Sequence, residues 1–310
     1  MLLKPHPVEI DRDLIMRFDT LGPRYTSYPT ADRFVEAFDA EAYTAWLAKR
    51  TIGGISRPLS LYVHLPFCNT ICYYCACNKV LTKDHGRSAK YIRYVEREIE
   101  KVSALIEGRP PVTQLHWGGG TPTFLSREEM TNLMSALKRN FAFAPDAEVS
   151  IEVDPRKVGA DTIEFLGTLG FNRISVGVQD FDPAVQEAVN RVQTEEETRT
   201  VIDTARRVGF VSVNCDLIYG LPKQTVQGFS ARIPRVPLLD PIAASVRHVR
   251  RHPPSPVPLR IFSRALAARS RTTSSSSFKA SVRSGMMVFA VAAFTLSASE
   301  SSACAPRRRR

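Results

Sequence analysis

Leu61-Tyr-Val-His-Leu-Pro-Phe-Cys68-Asn-Thr-Ile-Cys72-Tyr-Tyr-Cys75-Ala-Cys77 decides how this 310-residue chain is read. A β-rich run ends at Phe67, and a C-x3-C-x2-C spacing follows at once, with one extra cysteine two residues on. Thiols crowded on one loop point to a metal or cluster site, because cysteine binds metals as thiolate and a short loop can direct several at one centre. Three thiolates can cover one face of a cubane [4Fe-4S] cluster and leave the fourth iron open to a ligand. A ferredoxin-like carrier needs four protein ligands, and a structural zinc site needs a further Cys or His pair. No such second pair is present, but Cys77 could complete a closed set, so spacing alone leaves that alternative standing.

From residue 59 to 220 short β-rich runs alternate with helical patterns, which predicts repeated βα units on a parallel sheet. The expected strands are Leu59–Phe67, Thr113–Gly118, Glu148–Asp154, Arg173–Gln179 and Ser212–Tyr219. Helices are expected near 88–107, 126–140, 160–169, 182–190 and 194–208. Capping boxes are read at Ser126/Glu129, Asp161/Glu164 and Thr194/Glu197, and Asp182-Pro183 gives an N-cap followed by Pro at the first helical position. The fold class is therefore α/β: a partial parallel (β/α) barrel, ending after about five βα units and followed by a disordered or poorly folded tail. In such sheets reactive groups gather at the strand C-termini.

Charge divides the chain unevenly. The net +11 suggests nucleic-acid binding, but residues 231–310 hold fourteen Arg and one Lys against Asp240 and Glu300, so residues 1–230 are close to neutral. That tail has one Gly, eight Pro, the run Ser274–Ser277 and a terminal Arg307–Arg310, and no sustained strand or helix period before residue 286. It reads as low-complexity sequence foreign to the fold, of the kind a frame shift between about 231 and 236 produces in a GC-rich gene. A basic tail for nucleic acid or anionic lipid is the rival reading. Three segments are expected: 1–58 on the substrate side, 59–230 as the partial barrel, and 231–310. Met286–Leu296 is apolar but short of the roughly 20 residues that span a bilayer. The first 18 residues carry acidic groups and Pro where a secretory signal has an unbroken apolar run. The expectation is a cytoplasmic protein without nucleic-acid or membrane partners.

With Tyr74 just before its third cysteine, the C-x3-C-x2-C run resembles the radical S-adenosylmethionine (SAM) signature. More narrowly, Tyr62-Val-His-Leu-Pro-Phe-Cys68, Cys77, His116-Trp-Gly-Gly-Gly-Thr-Pro-Thr123 and Arg24-Tyr-Thr-Ser-Tyr-Pro-Thr30 resemble the oxygen-independent coproporphyrinogen III oxidases. The likeness runs from about residue 10 to 231. It implies a [4Fe-4S] cluster on Cys68, Cys72 and Cys75 and two SAM molecules. Tyr62, Gly119 and Glu152 would surround the first, and Tyr74, Gly120, Thr121, Gln179, Arg191 and Asp216 the second. The implied activity is oxidative decarboxylation of two propionates of coproporphyrinogen III in haem synthesis. His64, in the family's Tyr-x-His motif, is the candidate catalytic histidine. Arg24 and Tyr25, with Tyr28, are candidates for the anionic propionates, since a guanidinium fork suits a carboxylate.

Each of these residues also has a plain alternative. The glycines alone describe a tight βα turn; Glu152, Gln179, Arg191 and Asp216 could be hydrogen-bonded buried groups or caps; a strand-borne histidine is usually a core residue. What the family has after residue 231, a further βα unit and a helical C-terminal domain, has no counterpart in 231–310. An inactive fragment of the enzyme is the reading that follows from that; a haem chaperone of the same superfamily, which keeps the cluster and SAM motifs, is a separate alternative. The chaperone fits less well because it lacks the Arg-Tyr-Thr-Ser-Tyr-Pro segment and Cys77. A monomer is expected, and no residue identifies the electron donor or acceptor.

Overall fold

The structure is a computed structural model that describes residues 35–48, 51–52 and 55–232, single positions between 11 and 33, and the segments 243–248 and 288–291. Helix α1 spans Ala40–Ala48. The βα alternation follows: β1 Leu59–Leu65, α2 Gly86–Ala104, β2 Val112–Gly119, α3 Arg127–Asn140, β3 Phe143–Val153 and α4 Ala160–Leu169. Then come β4 Arg173–Gln179, α5 Pro183–Ala188, α6 Glu195–Arg207, β5 Ser212–Tyr219 and α7 Val226–Arg232. Two further strands, β6 Ala243–His248 and β7 Val288–Val291, lie in the segment read as lacking any βα unit. The seven strands form one open sheet in the order β6-β5-β4-β3-β2-β1-β7, and every neighbouring pair is parallel.

The strands alternate, so the sheet has two unlike faces. In β1 Leu59, Leu61, Val63 and Leu65 are buried while Ser60, Tyr62 and His64 are half-exposed. In β4 Ile174, Val176 and Val178 are buried between Arg173, Ser175, Gly177 and Gln179. The apolar face meets a continuous core that includes Ile92, Leu133, Leu137, Ile163, Leu166 and Val201 from the helices. Trp117 is fully buried there and meets Phe171 edge-on at 5.0 Å. The opposite face is polar, and its side chains converge toward the C-terminal strand ends.

All five expected strands are present, and the helix starts at Ser126, Asp182 and Thr194 carry the side-chain caps anticipated for them. The cap at Asp161 is absent. Gly159 is the N-cap of α4, without a side-chain bond, and Asp161 lies inside the first turn. Its carboxylate instead reaches Arg127 at 2.6 Å. The outer strands β6 and β7 fall beyond residue 230, in the region where no further βα unit is read, and among the described residues neither is joined to a helix of its own. Their pairing uses the backbone rows that β5 and β1 would otherwise leave open at the sheet edges, a demand that side-chain patterning does not announce. Among the described residues no helix is long and apolar enough to cross a membrane.

Candidate active site

The three-cysteine loop leaves β1 at Leu65 and is closed at its base by a two-residue parallel ladder, Phe67–Cys68 with Val80–Leu81. Val80 N–H donates to Pro66 O at 2.8 Å and Thr82 N–H to Cys68 O at 3.0 Å. Inside the loop Cys75 N–H donates to Cys72 O at 2.9 Å. Its far side is held by the end of α5: Tyr73 N–H donates to Val189 O at 3.0 Å, and Asn190 Nδ2 to Ile71 O at 2.7 Å. Tyr74 packs against Val185, Val189, Ile218 and Leu221. That burial raises its phenol pKa, with the Arg191 charge opposing.

The glycine loop after β2 docks on the same junction. Gly120 N–H donates to Leu65 O and Thr121 N–H to Phe67 O, both at 2.8 Å, and Thr121 Oγ1 lies 3.5 Å from Cys68 Sγ. A Cβ on Gly120 would stand 2.7 Å from Pro66 and Phe67 backbone atoms, so the approach requires glycine. Gly119 has φ +111°, and a Cβ there would meet the His64 ring at 2.5 Å.

On the polar face Tyr62, His64, His116, Ser150 and Glu152 form one network. Asn78 O, 2.9 Å from His64 Nε2, can only accept, so Nε2 carries the proton and Nδ1 accepts from Tyr62 Oη at 3.0 Å. Both nitrogens of His64 are thus engaged, which makes it a brace between β1 and the loop. Tyr62 stacks on His116 with centroids 5.8 Å apart, and burial together with the Glu152 charge pushes its phenol up to about 12. His116 Nδ1 lies 2.6 Å from Ser150 Oγ and Nε2 3.4 Å from Glu152 Oε1. The other Glu152 oxygen accepts from Gly119 N–H at 3.3 Å. Across the sheet Asp216 accepts from Ser175 Oγ and Asn214 Nδ2, both at 2.9 Å. Gln179, at the end of β4, adopts φ +68°, which is strained for a residue with a Cβ.

Two residues that the sequence reading passed over belong here. Asp154 directly follows β3, and Arg156 lies two residues on. Arg156 forks onto both Asp154 oxygens at 2.9 and 2.6 Å, while Arg191 reaches the same carboxylate at 3.3 Å. Both guanidiniums also point at Cys72 Sγ, Arg191 at 3.5 Å and Arg156 at 3.7 Å. Burial alone would raise the Asp154 pKa, but the hydrogen bonds and charges of Arg156 and Arg191 outweigh it and hold the carboxyl below its ordinary value. The signal available in sequence was a carboxylate at a strand C-terminus, in Val-Asp-Pro-Arg.

The donor set fits a three-thiolate cluster and an anionic or polar ligand beside it. Among the described residues no three acidic, His or Cys groups enclose a single metal ion. Ligands to a cubane each bind a different iron and need no such convergence. Burial raises the Cys68 thiol pKa, whereas a hydrogen bond from Cys77 lowers that of Cys75 to about 6. Arg191, 8% exposed, leaves its Nε without a partner among the described residues, and the side chains of His116, Glu152 and His64 pack close over Gly118 and Gly119. Cys68, Cys72, Cys75, Tyr62, Tyr74, Gly119, Gly120, Thr121, Glu152, Gln179, Arg191 and Asp216 thus all sit on or beside one polar sheet face, at or near its C-terminal edge. Arg24 and Tyr25 lie outside the described residues.

Residues 62–231 match the family model of the radical SAM superfamily. The oxygen-independent coproporphyrinogen III oxidase of Pseudomonas aeruginosa is 52% identical over 238 residues, which are 76% of this chain and 51% of that protein. The enzyme of the same name from Escherichia coli is 48% identical over 239 residues, 77% of this chain and 51% of that one. The solved coproporphyrinogen III oxidase from Escherichia coli, described as a radical SAM enzyme, superimposes with a TM-score of 0.76 at 42% identity. That match covers 86% of this chain and 62% of the solved one. The chain spans about half the length of the curated relatives it matches.

Proposed function

The chain belongs to the radical SAM superfamily, and on that premise we propose that it oxidatively decarboxylates two propionates of coproporphyrinogen III to give protoporphyrinogen IX. The observation that carries this reading is the junction of two loops, where Gly120 and Thr121 hydrogen-bond the base of the Cys68–Cys75 loop. The named activity of the half-matched relatives supports the choice of substrate.

Cys68, Cys72 and Cys75 would hold the [4Fe-4S] cluster. Tyr62, Gly119 and Glu152 would hold one SAM, and Tyr74, Gly120, Thr121, Gln179, Arg191 and Asp216 a second. When bound, cluster and SAM supply one-electron chemistry that removes a hydrogen from the propionate β-carbon. The protein's own part is placement. The ring of His64 fixes Gly119 from below and orients the Tyr62 hydroxyl, while Glu152 turns one carboxylate oxygen to the Gly119 amide and the other to His116. Arg191 offers its free Nε beside Gly177, where a ligand carboxylate would satisfy it. Arg24 and Tyr25 are assigned to the substrate propionates. The protein is placed in the cytoplasm as a monomer, without nucleic-acid or membrane partners.

Anaerobic iron–sulfide reconstitution of the full chain, followed by assays of SAM cleavage and protoporphyrinogen formation, tests the reading. Decarboxylated product that disappears when any one of the three cysteines is replaced by Ala is expected. Full activity in such a variant would refute it. A second reading, an inactive fragment of that enzyme, is favoured by the match covering only about half of each relative; a reconstituted chain with neither SAM cleavage nor product would select it. Haem uptake would select the chaperone.

A further inference from the structure

The three cysteine sulfurs have unlike surroundings. Cys68 faces the neutral Thr121 hydroxyl, and Cys75 interacts with Cys77 and lies in the field of Lys79 and Arg191, whereas among the described cysteines Cys72 is the one that two guanidiniums reach directly. Those guanidiniums share one carboxylate; the side chains of Asp154 and Arg191 are buried and that of Arg156 nearly so, with side-chain exposures of 10%, 9% and 12%. Two cations against one anion leave a net positive charge in a setting where an unbalanced charge is costly. A thiolate at Cys72, the form that binds iron, brings the set to neutrality.

We propose that Asp154 and Arg156 are positioning residues for the Cys72 ligand: Arg156 places a second cation on that sulfur, Asp154 limits how much positive charge reaches it, and together they set the cluster's reduction potential. This rests on the reading of Cys72 as a cluster ligand. Hydrogen bonds and positive charge at a ligand sulfur favour the reduced, more negative cluster, so they raise its potential. Asp154 opposes this through its own charge. It also fixes the Arg156 fork, because its Oδ1 accepts from both Arg156 N–H at 3.2 Å and Nε at 2.9 Å. Electrostatic control therefore demands shifts of opposite sign when the two residues are neutralised. A mere staple between the strand end and the loop does not.

The test is a dye-mediated redox titration, followed by the electron paramagnetic resonance signal of the reduced cluster, on the reconstituted full chain without SAM. Wild type, Arg156→Gln, Arg156→Lys and Asp154→Asn are compared. The midpoint is expected to move negative in Arg156→Gln, stay near wild type in Arg156→Lys, and move positive in Asp154→Asn. An unchanged midpoint in Arg156→Gln, or shifts of the same sign in Arg156→Gln and Asp154→Asn, overturns the proposal while leaving Cys72 a ligand. If Asp154→Asn does not fold, the two Arg156 variants decide alone. A wild-type chain that takes up no cluster overturns the assignment of Cys72, and this proposal with it.

Discussion

A Cβ on Gly120 would lie 2.7 Å from the backbone of Pro66 and Phe67, and backbone atoms cannot swing aside as a side-chain tip would. Gly120→Ala must therefore part the glycine loop from the cysteine loop or strain both, at about 1–3 kcal/mol. Equilibrium dialysis with SAM is expected to show at least about tenfold weaker binding, which is the roughly 1.4 kcal/mol that such a parting forfeits. Wild-type affinity would mean that the junction yields freely. Asp154 gives a pH prediction of definite sign. Its folded pKa is depressed, so its stabilising contribution is present above the ordinary carboxylate pKa and is lost as pH falls through the lower folded value. Urea unfolding between pH 6 and 3 should show a steeper acid loss for wild type than for Asp154→Asn. Parallel curves would mean that this carboxylate is not linked to folding. The cysteines and glycines were legible because each motif is local. Asp154 and Arg156 were not, because what gives them meaning is a contact with Cys72 from 84 residues away, joined by Arg191 from 119 residues away.

Helix starts are local too, and two of the three capping boxes formed as read. At Ser126 the box does more than cap. Glu129 accepts the Ser126 N–H with one oxygen and the Ser88 hydroxyl with the other, which ties the start of α3 to the first turn of α2. Ser126→Ala is expected to cost about 1 kcal/mol, the usual value of an N-cap side chain, seen as a lowered urea midpoint. Asp161→Ala is expected to stay within about 0.5 kcal/mol of wild type in the same measurement, because only an exposed ion pair with Arg127 is lost. A larger loss would restore Asp161 as a cap. The pattern at Asp161 misled because Gly159 already turns the chain into α4, two residues earlier, in a conformation that needs no side chain. Strand and helix types came from periodicity; ends moved wherever a neighbour offered a better partner.

The whole sheet obeys a rule that sequence patterning states only in part. Strands β1 to β5 announce themselves by alternation, since each must bury one apolar row against the helices and leave a polar row for the site. Strands β6 and β7 show no such pattern, and the composition of 231–310 gave no reason to expect them. Their pairing answers instead to the backbone: β5 through Asn214–Tyr219 and β1 through Ser60–Val63 take parallel partners in register. A chain ending at Arg232 is expected to keep the core, because among the described residues those that make it lie between Leu47 and Phe229. It would also carry two uncovered strand edges, each a row of unpaired N–H and C=O groups that another molecule can extend. Circular dichroism of that truncated chain should still report an α/β fold, while sedimentation velocity shows association that grows with concentration and exceeds that of the full chain. A truncated chain that stays monomeric across the same concentrations would mean that the outer strands do not protect the edges. Loss of the fold itself would place part of its stability in the two outer strands.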